Sequence, residues 1–294
     1  AISLGTTATV TFTIDHYLEP ERFIPPYDSI MPGYFTPEIE IFRGYWLISW
    51  FKKEFAEKMK EKRKKLFDIT DRQLQITCTL PDKYLEFLRL LAIHGYDITN
   101  TLLIQNQHPD SVLLKDVARF REDGLYIKKG EKGIAIFQPG TSYQRRDGSI
   151  GINYNVKHIF DITQTSADEI PSAVEYDRSQ LAYAFSHKEK DADNHTETGL
   201  TPDQQLLKLL DRSCHKEGRN LKEPFILSAE YAICQKYHLK CDTSFANDCV
   251  VSLSQMDKIG RKKTLKSVKR LFDTINTRIE HGLYVYDQEV NGNA

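Results

Sequence analysis

Between residues 51 and 172 the spacing of apolar residues changes once, and that change limits the fold more than any other feature of the chain. Up to about residue 121 apolar positions recur at helical intervals. Phe51, Phe55 and Met59 stand at i, i+4 and i+8 and predict a helix over 51–67 that ends in the basic run "KEKRKK". Tyr84, Phe87, Leu88 and Leu91, at i, i+3, i+4 and i+7, predict a second helix over 83–94. In "YDITNTLLIQNQHP" (96–109) a helix starts at an N-cap, Asp97 or Thr99, and stops at Pro109; a short further helix fits 111–121. Beyond residue 125 the period becomes that of strands. "LYIKKGEKGIAIFQP" places Tyr126 and Ile127 on one side of a glycine-rich turn and Ile134, Ile136 and Phe137 on the other, a hairpin signature. Asp147-Gly148 marks another turn, and a strand is expected over 154–162. Helices followed by a small antiparallel sheet give an α+β fold.

The flanks are different in kind. "TATVTFTI" (7–14) alternates strictly and reads as a half-buried strand. Pro20, Pro25, Pro26, Pro32 and Pro37 then exclude a long helix. That stretch reads either as an arm packed through Tyr27, Tyr34 and Phe35 or as a protein-contact surface. Residues 186–203 are polar and acidic with no apolar stripe, as a linker would be. Helical patterns return over 204–211, 225–239 and 264–283. The expected division is therefore an N-terminal arm and first helix (1–59), an α+β domain (60–172), a linker (173–203) and a mostly helical domain (204–294).

Composition removes several classes of function. Hydrophobic residues make up 40% of the chain and charged residues 28%, enough for a core. The formal charge is −1, so polyanion binding has to come from a local patch. Five cysteines with no C-x-x-C pair point to reduced thiols and a cytoplasmic location. No run approaches a membrane span, so no membrane partner is expected. The nine histidines contain no i, i+4 pair, and H-E-x-x-H is absent. The P-loop, G-x-G-x-x-G and G-x-S-x-G are absent too. The expectation is a non-enzymatic protein with no cofactor and no metal.

One constellation suits polyanions. Arg119, Arg121, Lys128, Lys129 and Lys132 fall on a short segment, Arg145 and Arg146 on the next loop, and Lys157 with His158 on the strand after it. Tyr126, Phe137, Tyr143 and Tyr154 are interleaved with them. Cations along phosphates with aromatic faces under bases are how single strands are held without base reading. The same residues also suit a solvated hairpin whose aromatics belong to the core. A second basic run, "GRKKTLKSVKRLF" (260–272), flanks an amphipathic helix and reads as a solvated face.

Three ordered blocks, "NTLLIQNQHPDS" (100–111), "RFREDGLYIKKGEKGIAIFQP" (119–139) and "IFDITQT" (159–165), resemble the N-terminal domain of ArdC-type antirestriction proteins and their LtrC-like relatives. Those relatives belong to plasmids, conjugative elements and phages. The match covers about residues 65–170. Phe120 replaces the usual tryptophan and Leu125 the usual arginine, which removes one expected charge. The resemblance implies a single-stranded-DNA-binding module with Lys128, Lys129 and Lys132 facing phosphates. Gly130 and Gly133 would let the strand come close. Asn100, Gln105 and Gln107 would be either polar contacts or braces. "LSAEYAICQKYHL" (227–239) resembles the A-E-x-x-A helix of the zinc metallopeptidase domain that often follows, with Glu230 at the ligand position and Ile233 in place of the second alanine. Upstream, "DQQLLKLLDRSCHKEG" lacks the histidine pair and the general base. The second half is thus expected to be a degenerate zincin-like domain with Glu230 as a vestigial ligand position. The implied function is single-stranded DNA binding by a mobile-element protein, with host defence or conjugation proteins as further partners. Two alternatives stand: inhibition of a host restriction or defence enzyme through the Pro/Tyr-rich arm, and a zinc metallopeptidase with unusual ligands.

Overall fold

The computed structural model describes residues 2–4, 7–19, 25–42, 44–145, 147–170, 175–186 and 201–291. The chain forms two compact units, residues 1–65 and 66–294. In the first, β1 (Ile2–Leu4), β2 (Thr7–Thr11) and a later strand make an antiparallel sheet; β3 (Tyr27–Asp28) pairs with β4 (Phe35–Thr36). The later strand, β5 (Glu38–Phe42), lies against β2 with Val10 opposite Ile39. Its "EIEIF" alternation follows directly on the proline-rich stretch. Helix α1 (Gly44–Thr77) begins in this unit and crosses the division, so it is longer than the 51–67 that its phenylalanine stripe predicts. Its second half buries polar residues, which hides the stripe: Thr70 Oγ1 donates to Leu66 O at 2.8 Å and Thr77 Oγ1 to Gln105 Oε1 at 2.7 Å.

The second unit holds α2 (Pro81–His94), α3 (Ile98–Gln107), β6 (Leu114–Lys115), α4 (Val117–Glu122), β7 (Ile134–Gln144) and β8 (Ile150–Asp161). A 3₁₀ turn (Ile162–Gln164) follows β8. Then come α5 (Arg178–Ser186), α6 (Pro202–Glu217), α7 (Glu223–Lys236), α8 (Phe245–Ser254) and α9 (Lys258–Asn291). Asp97 caps α3 as its sequence predicts, accepting from the N–H groups of Thr99 and Asn100. The sheet order is β6-β8-β7, all antiparallel, so the fold is α+β.

Two sequence expectations need correction. Residues 126–127 do not form a hairpin with β7: β7 pairs with β8, while Ile127 bridges Thr165. The glycine-rich segment 128–133 joins the isolated bridge at Ile127 to the start of β7. Nor do 60–172 and 204–294 have separate cores. Leu74, Tyr84, Phe87 and Leu102 share one buried cluster with Leu206, Phe225, Ile233, Val268 and Ile275. Within the expected linker, Arg178–Ser186 is helix α5 and buries Leu181, Ala184 and Phe185 in that cluster; residues 187–200 lie outside the described residues. Helix α7 is the hub. It is apolar on nearly every side, and α2, α6, α8 and α9 pack on it, with Tyr84 Oη 2.9 Å from Ser228 Oγ. The root of the β7–β8 ribbon is packed on both faces. Ile134, Ile136 and Ile159 meet Leu90 and Ile104. Phe137 meets Leu66 and Leu103 on the other side, with the Phe67 ring stacked on it at 4.5 Å.

Candidate nucleic-acid interface

The site grows from Asp161 at the end of β8. This fully buried carboxylate accepts from Val112 N (2.7 Å), Leu113 N (2.9 Å), Thr163 N (3.1 Å) and Thr163 Oγ1 (2.6 Å). Burial works against its charge, but these hydrogen bonds outweigh it and hold the pKa below the usual carboxylate value. Three residues on, Gln164 completes a capping box by accepting from Asp161 N at 2.9 Å. Its Nε2 donates to Glu131 Oε2 (2.9 Å) and Lys132 O (3.0 Å), and its carbonyl accepts from Lys128 N (2.9 Å). One glutamine thus grips both ends of the connection 128–133.

That grip shapes a cationic loop. Glu131 N donates to Lys128 O at 3.3 Å, and Gly130 has φ +92° beside an ordinary Lys129, which defines a type II turn with glycine where positive φ is required. Lys128, Lys129 and Lys132 are exposed, and Lys128 Nζ lies 3.1 Å from Thr163 O. Among the described residues, the Lys129 and Lys132 side chains have no hydrogen-bonded or ion-pair partner. The backbone N–H groups of Lys129, Gly130, Lys132 and Gly133 have no acceptor there either. Free N–H groups beside ammonium groups favour anions. Gly133 has another reason to be glycine: a Cβ there would lie 2.9 Å from Phe160 Cζ and 3.0 Å from His158 Cβ. A cleft of about 550 Å³ runs between this loop, Gln164 and the end of α3 at Gln107 and His108. His108, Glu131, Thr163 and Gln164 were not singled out from the sequence. The Asp161-x-x-Gln164 spacing of a capping box was the available signal.

Asn100 and Gln107 resolve as braces. Asn100 Nδ2 donates to Phe137 O and its Oδ1 accepts from Phe137 N, both at 2.8 Å. Gln107 makes the same pair with Ala135, at 3.0 and 2.9 Å. Spaced two helical turns apart on α3, the two amides hydrogen-bond the edge of β7 as a neighbouring strand would. Gln105 braces from the opposite side, donating to Lys83 O at 2.7 Å.

The remaining basic and aromatic residues are not all at the loop. Tyr126 is beside it and 66% exposed. Arg119 and Arg121 are exposed on α4, just before it, and the Arg119 charge is among those that lower the Asp116 pKa. Lys157 is held by Asp116 at 2.7 Å. Phe137 is core. Tyr143 lies over Gly151, where a Cβ would stand 2.6 Å from the ring. Arg145 sits at the turn joining β7 to β8, roughly 30 Å along β7 from the loop at a strand's rise per residue. Arg146 lies outside the described residues.

Glu230 lies elsewhere, on α7. Its Oε2 is buried without a hydrogen-bond partner, and burial, then the nearby Asp211 carboxylate, pushes its pKa up to about 7. His215 is turned to Asp211 O and to Glu223, each 2.9 Å from a ring nitrogen. No group of three or more His, Cys, Asp or Glu among the described residues is placed to hold a metal ion, so the described residues do not fit a zinc centre. None of the described helices is long and apolar enough to cross a membrane.

No protein-family model matches the sequence, and no curated protein does. Among solved structures, the chain is similar to the metal-free crystal structure of the antirestriction protein ArdC from plasmid R388. The identity is 13% and the TM-score 0.38, over 63% of this chain and 84% of that one. A likeness at that level carries no functional argument.

Proposed function

We propose that this chain binds single-stranded DNA and catalyses nothing, with loop 128–133 as the phosphate cradle and Tyr126 as a stacking face. The observation that carries the reading is the pairing of three exposed lysines and free backbone N–H groups with a loop fixed at both ends by Gln164. A loop already held in place loses little freedom on binding, so its contacts count almost fully. The three sequence blocks that resemble the ArdC-type module support the same reading. They also supply its context: a cytoplasmic mobile-element protein with an antirestriction role that protects or escorts a transferred strand. The helical half then serves as scaffold or partner surface. The test is fluorescence anisotropy with labelled single- and double-stranded oligonucleotides at moderate salt. The reading expects preference for the single strand, and loss of it in a folded Lys128→Ala/Lys129→Ala/Lys132→Ala variant. Equal binding by that variant and the wild type refutes the site.

A second reading, inhibition of a host defence enzyme through the N-terminal arm, has one observation in its favour. Tyr27, Ile30 and Met31 are exposed together in the first unit. DNA-independent, salt-insensitive capture of one host protein, lost on replacing those three residues, would establish it.

A further inference from the structure

Glu131 does not suit a phosphate cradle. It sets a carboxylate between Lys129 and Lys132, where a negative charge repels phosphate. Yet it is held in place rather than left to solvent. Gln164 is 6% exposed and its amide is fully committed. Its Oε1 accepts from Asp161 N at 2.9 Å, and its Nε2 donates to Lys132 O at 3.0 Å and to Glu131 Oε2 at 2.9 Å. With Oε1 taken by the Asp161 N–H, the amide has one orientation, and Nε2 always faces the loop. Gln164 already grips that loop through Lys128 N and Lys132 O, so its bond to Glu131 orients the carboxylate rather than closing the loop. Glu131 Oε1 has no partner among the described residues. The side chain is exposed and lines the cleft of about 550 Å³, with Lys132 beside it and His108 at the end of α3. A carboxylate fixed through one oxygen and open at the other is oriented before any ligand arrives.

From this geometry we propose that Glu131 selects guanine: one base of a bound strand enters the cleft and offers N1–H and N2–H to the Glu131 carboxylate, while Lys132 donates to O6. The inference rests on loop 128–133 being a single-stranded-DNA site and adds a base preference to it. Unstacked bases in single strands are read on their Watson–Crick edges. Guanine presents two neighbouring donors there, with an acceptor beside them, which matches a carboxylate next to an ammonium group. Adenine and cytosine each set one amino donor next to a ring-nitrogen acceptor, so they satisfy the carboxylate once and place a lone pair against it. Thymine flanks its single N3–H with two carbonyl oxygens that a carboxylate repels. The lysines thus hold the backbone, and the one acid among them reads a base.

The experiment measures fluorescence anisotropy of the full chain with three labelled strands: oligothymidylate, the same strand with one central guanine, and the same strand with hypoxanthine there, which lacks the 2-amino group. A good bidentate base contact discriminates by about fivefold or more, so the guanine strand should bind at least ~5-fold tighter than oligothymidylate, and hypoxanthine should lose most of that gain. Glu131→Gln keeps an acceptor for Gln164 but turns an amino group toward the base. It should bring guanine and thymine strands to equal affinity, with oligothymidylate bound no more weakly than by wild type. A structural role would weaken both strands, and a purely electrostatic one would strengthen both at a constant ratio. If the variant fails to fold, the three strands on wild type decide alone. Equal wild-type affinity for guanine and thymine strands, hypoxanthine bound as well as guanine, or a preference that survives Glu131→Gln would each overturn the proposal. Those results leave the phosphate site standing if Lys128→Ala/Lys129→Ala/Lys132→Ala still abolishes binding; no wild-type binding to any strand overturns both.

Discussion

Truncating Asn100 to alanine isolates the brace between α3 and β7. The side chain is 5% exposed and makes three hydrogen bonds: two to the Phe137 backbone at 2.8 Å and one to Asp97 Oδ2 at 2.9 Å. Its removal strands one N–H and one C=O on a strand edge too enclosed for water to reach freely. Each orphaned group costs about 1–3 kcal/mol. Alanine returns roughly 0.5 kcal/mol through better helix propensity. The net loss should be about 1.5–5.5 kcal/mol. Gln107→Ala breaks the matching pair on Ala135, but Gln107 is exposed and water can replace it, so the cost should stay near ~0.5–1 kcal/mol. Urea unfolding at pH 7 reads both values as midpoint shifts at constant slope, and hydrogen exchange at the Phe137 amide reads the edge directly. An Asn100→Ala variant within ~0.5 kcal/mol of wild type would refute the brace, given the cost expected of orphaned groups. So would a Gln107→Ala variant that unfolds normally yet loses oligonucleotide affinity.

Four other outcomes follow from the same geometry. Gln164→Ala should free both ends of loop 128–133, seen as faster amide exchange at Lys128 and Lys132 and weaker oligonucleotide binding, with the lysines untouched. Stability should fall as pH drops from about 6.5 to about 4, because burial lowers the His94 pKa to about 4 and the unfolded chain takes the proton first. That term is at most about 3 kcal/mol, and His94→Gln should flatten it. The stabilisation from Asp161, whose pKa is also lowered, persists above the ordinary carboxylate pKa and is lost only as pH falls through its folded value. Glu230→Gln should stabilise the protein by up to about 3 kcal/mol at pH 8 and little at pH 4.5, since a carboxyl held near 7 destabilises the fold only where it must ionise.

Much of the helical layout could be read from local chemistry. The Tyr84/Phe87/Leu88/Leu91 stripe is buried as its period predicts, and Asp97 is the N-cap it looks like. The pairing of strands was not legible in the same way. Tyr126 and Ile127 flank a glycine turn just as a hairpin strand would, yet their partner is Thr165, because Gln164 competes for the backbone at Lys128 and Lys132. Core sharing was also hidden. The apolar faces of α2 and α7 say only that each is buried, and contact such as that of Tyr84 with Ser228 joins residues 144 positions apart. At the site, residue types identified the cluster at 128–132, but the sequence could not separate Arg145 from it. Distance along a chain does not report that an eleven-residue strand carries the arginine away.

The salt dependence of binding tests the central claim most directly. For single strands, log K falls by about 0.7 per log unit of salt for each phosphate neutralised. An oligonucleotide just long enough to cross the loop should therefore lose roughly 1.5–2 from the magnitude of its slope when Lys128, Lys129 and Lys132 become alanine. Arg145→Ala, at the far end of β7, should leave that slope unchanged. Identical slopes for wild type and triple variant, or a larger change from Arg145→Ala, would contradict the placement of the DNA on this loop.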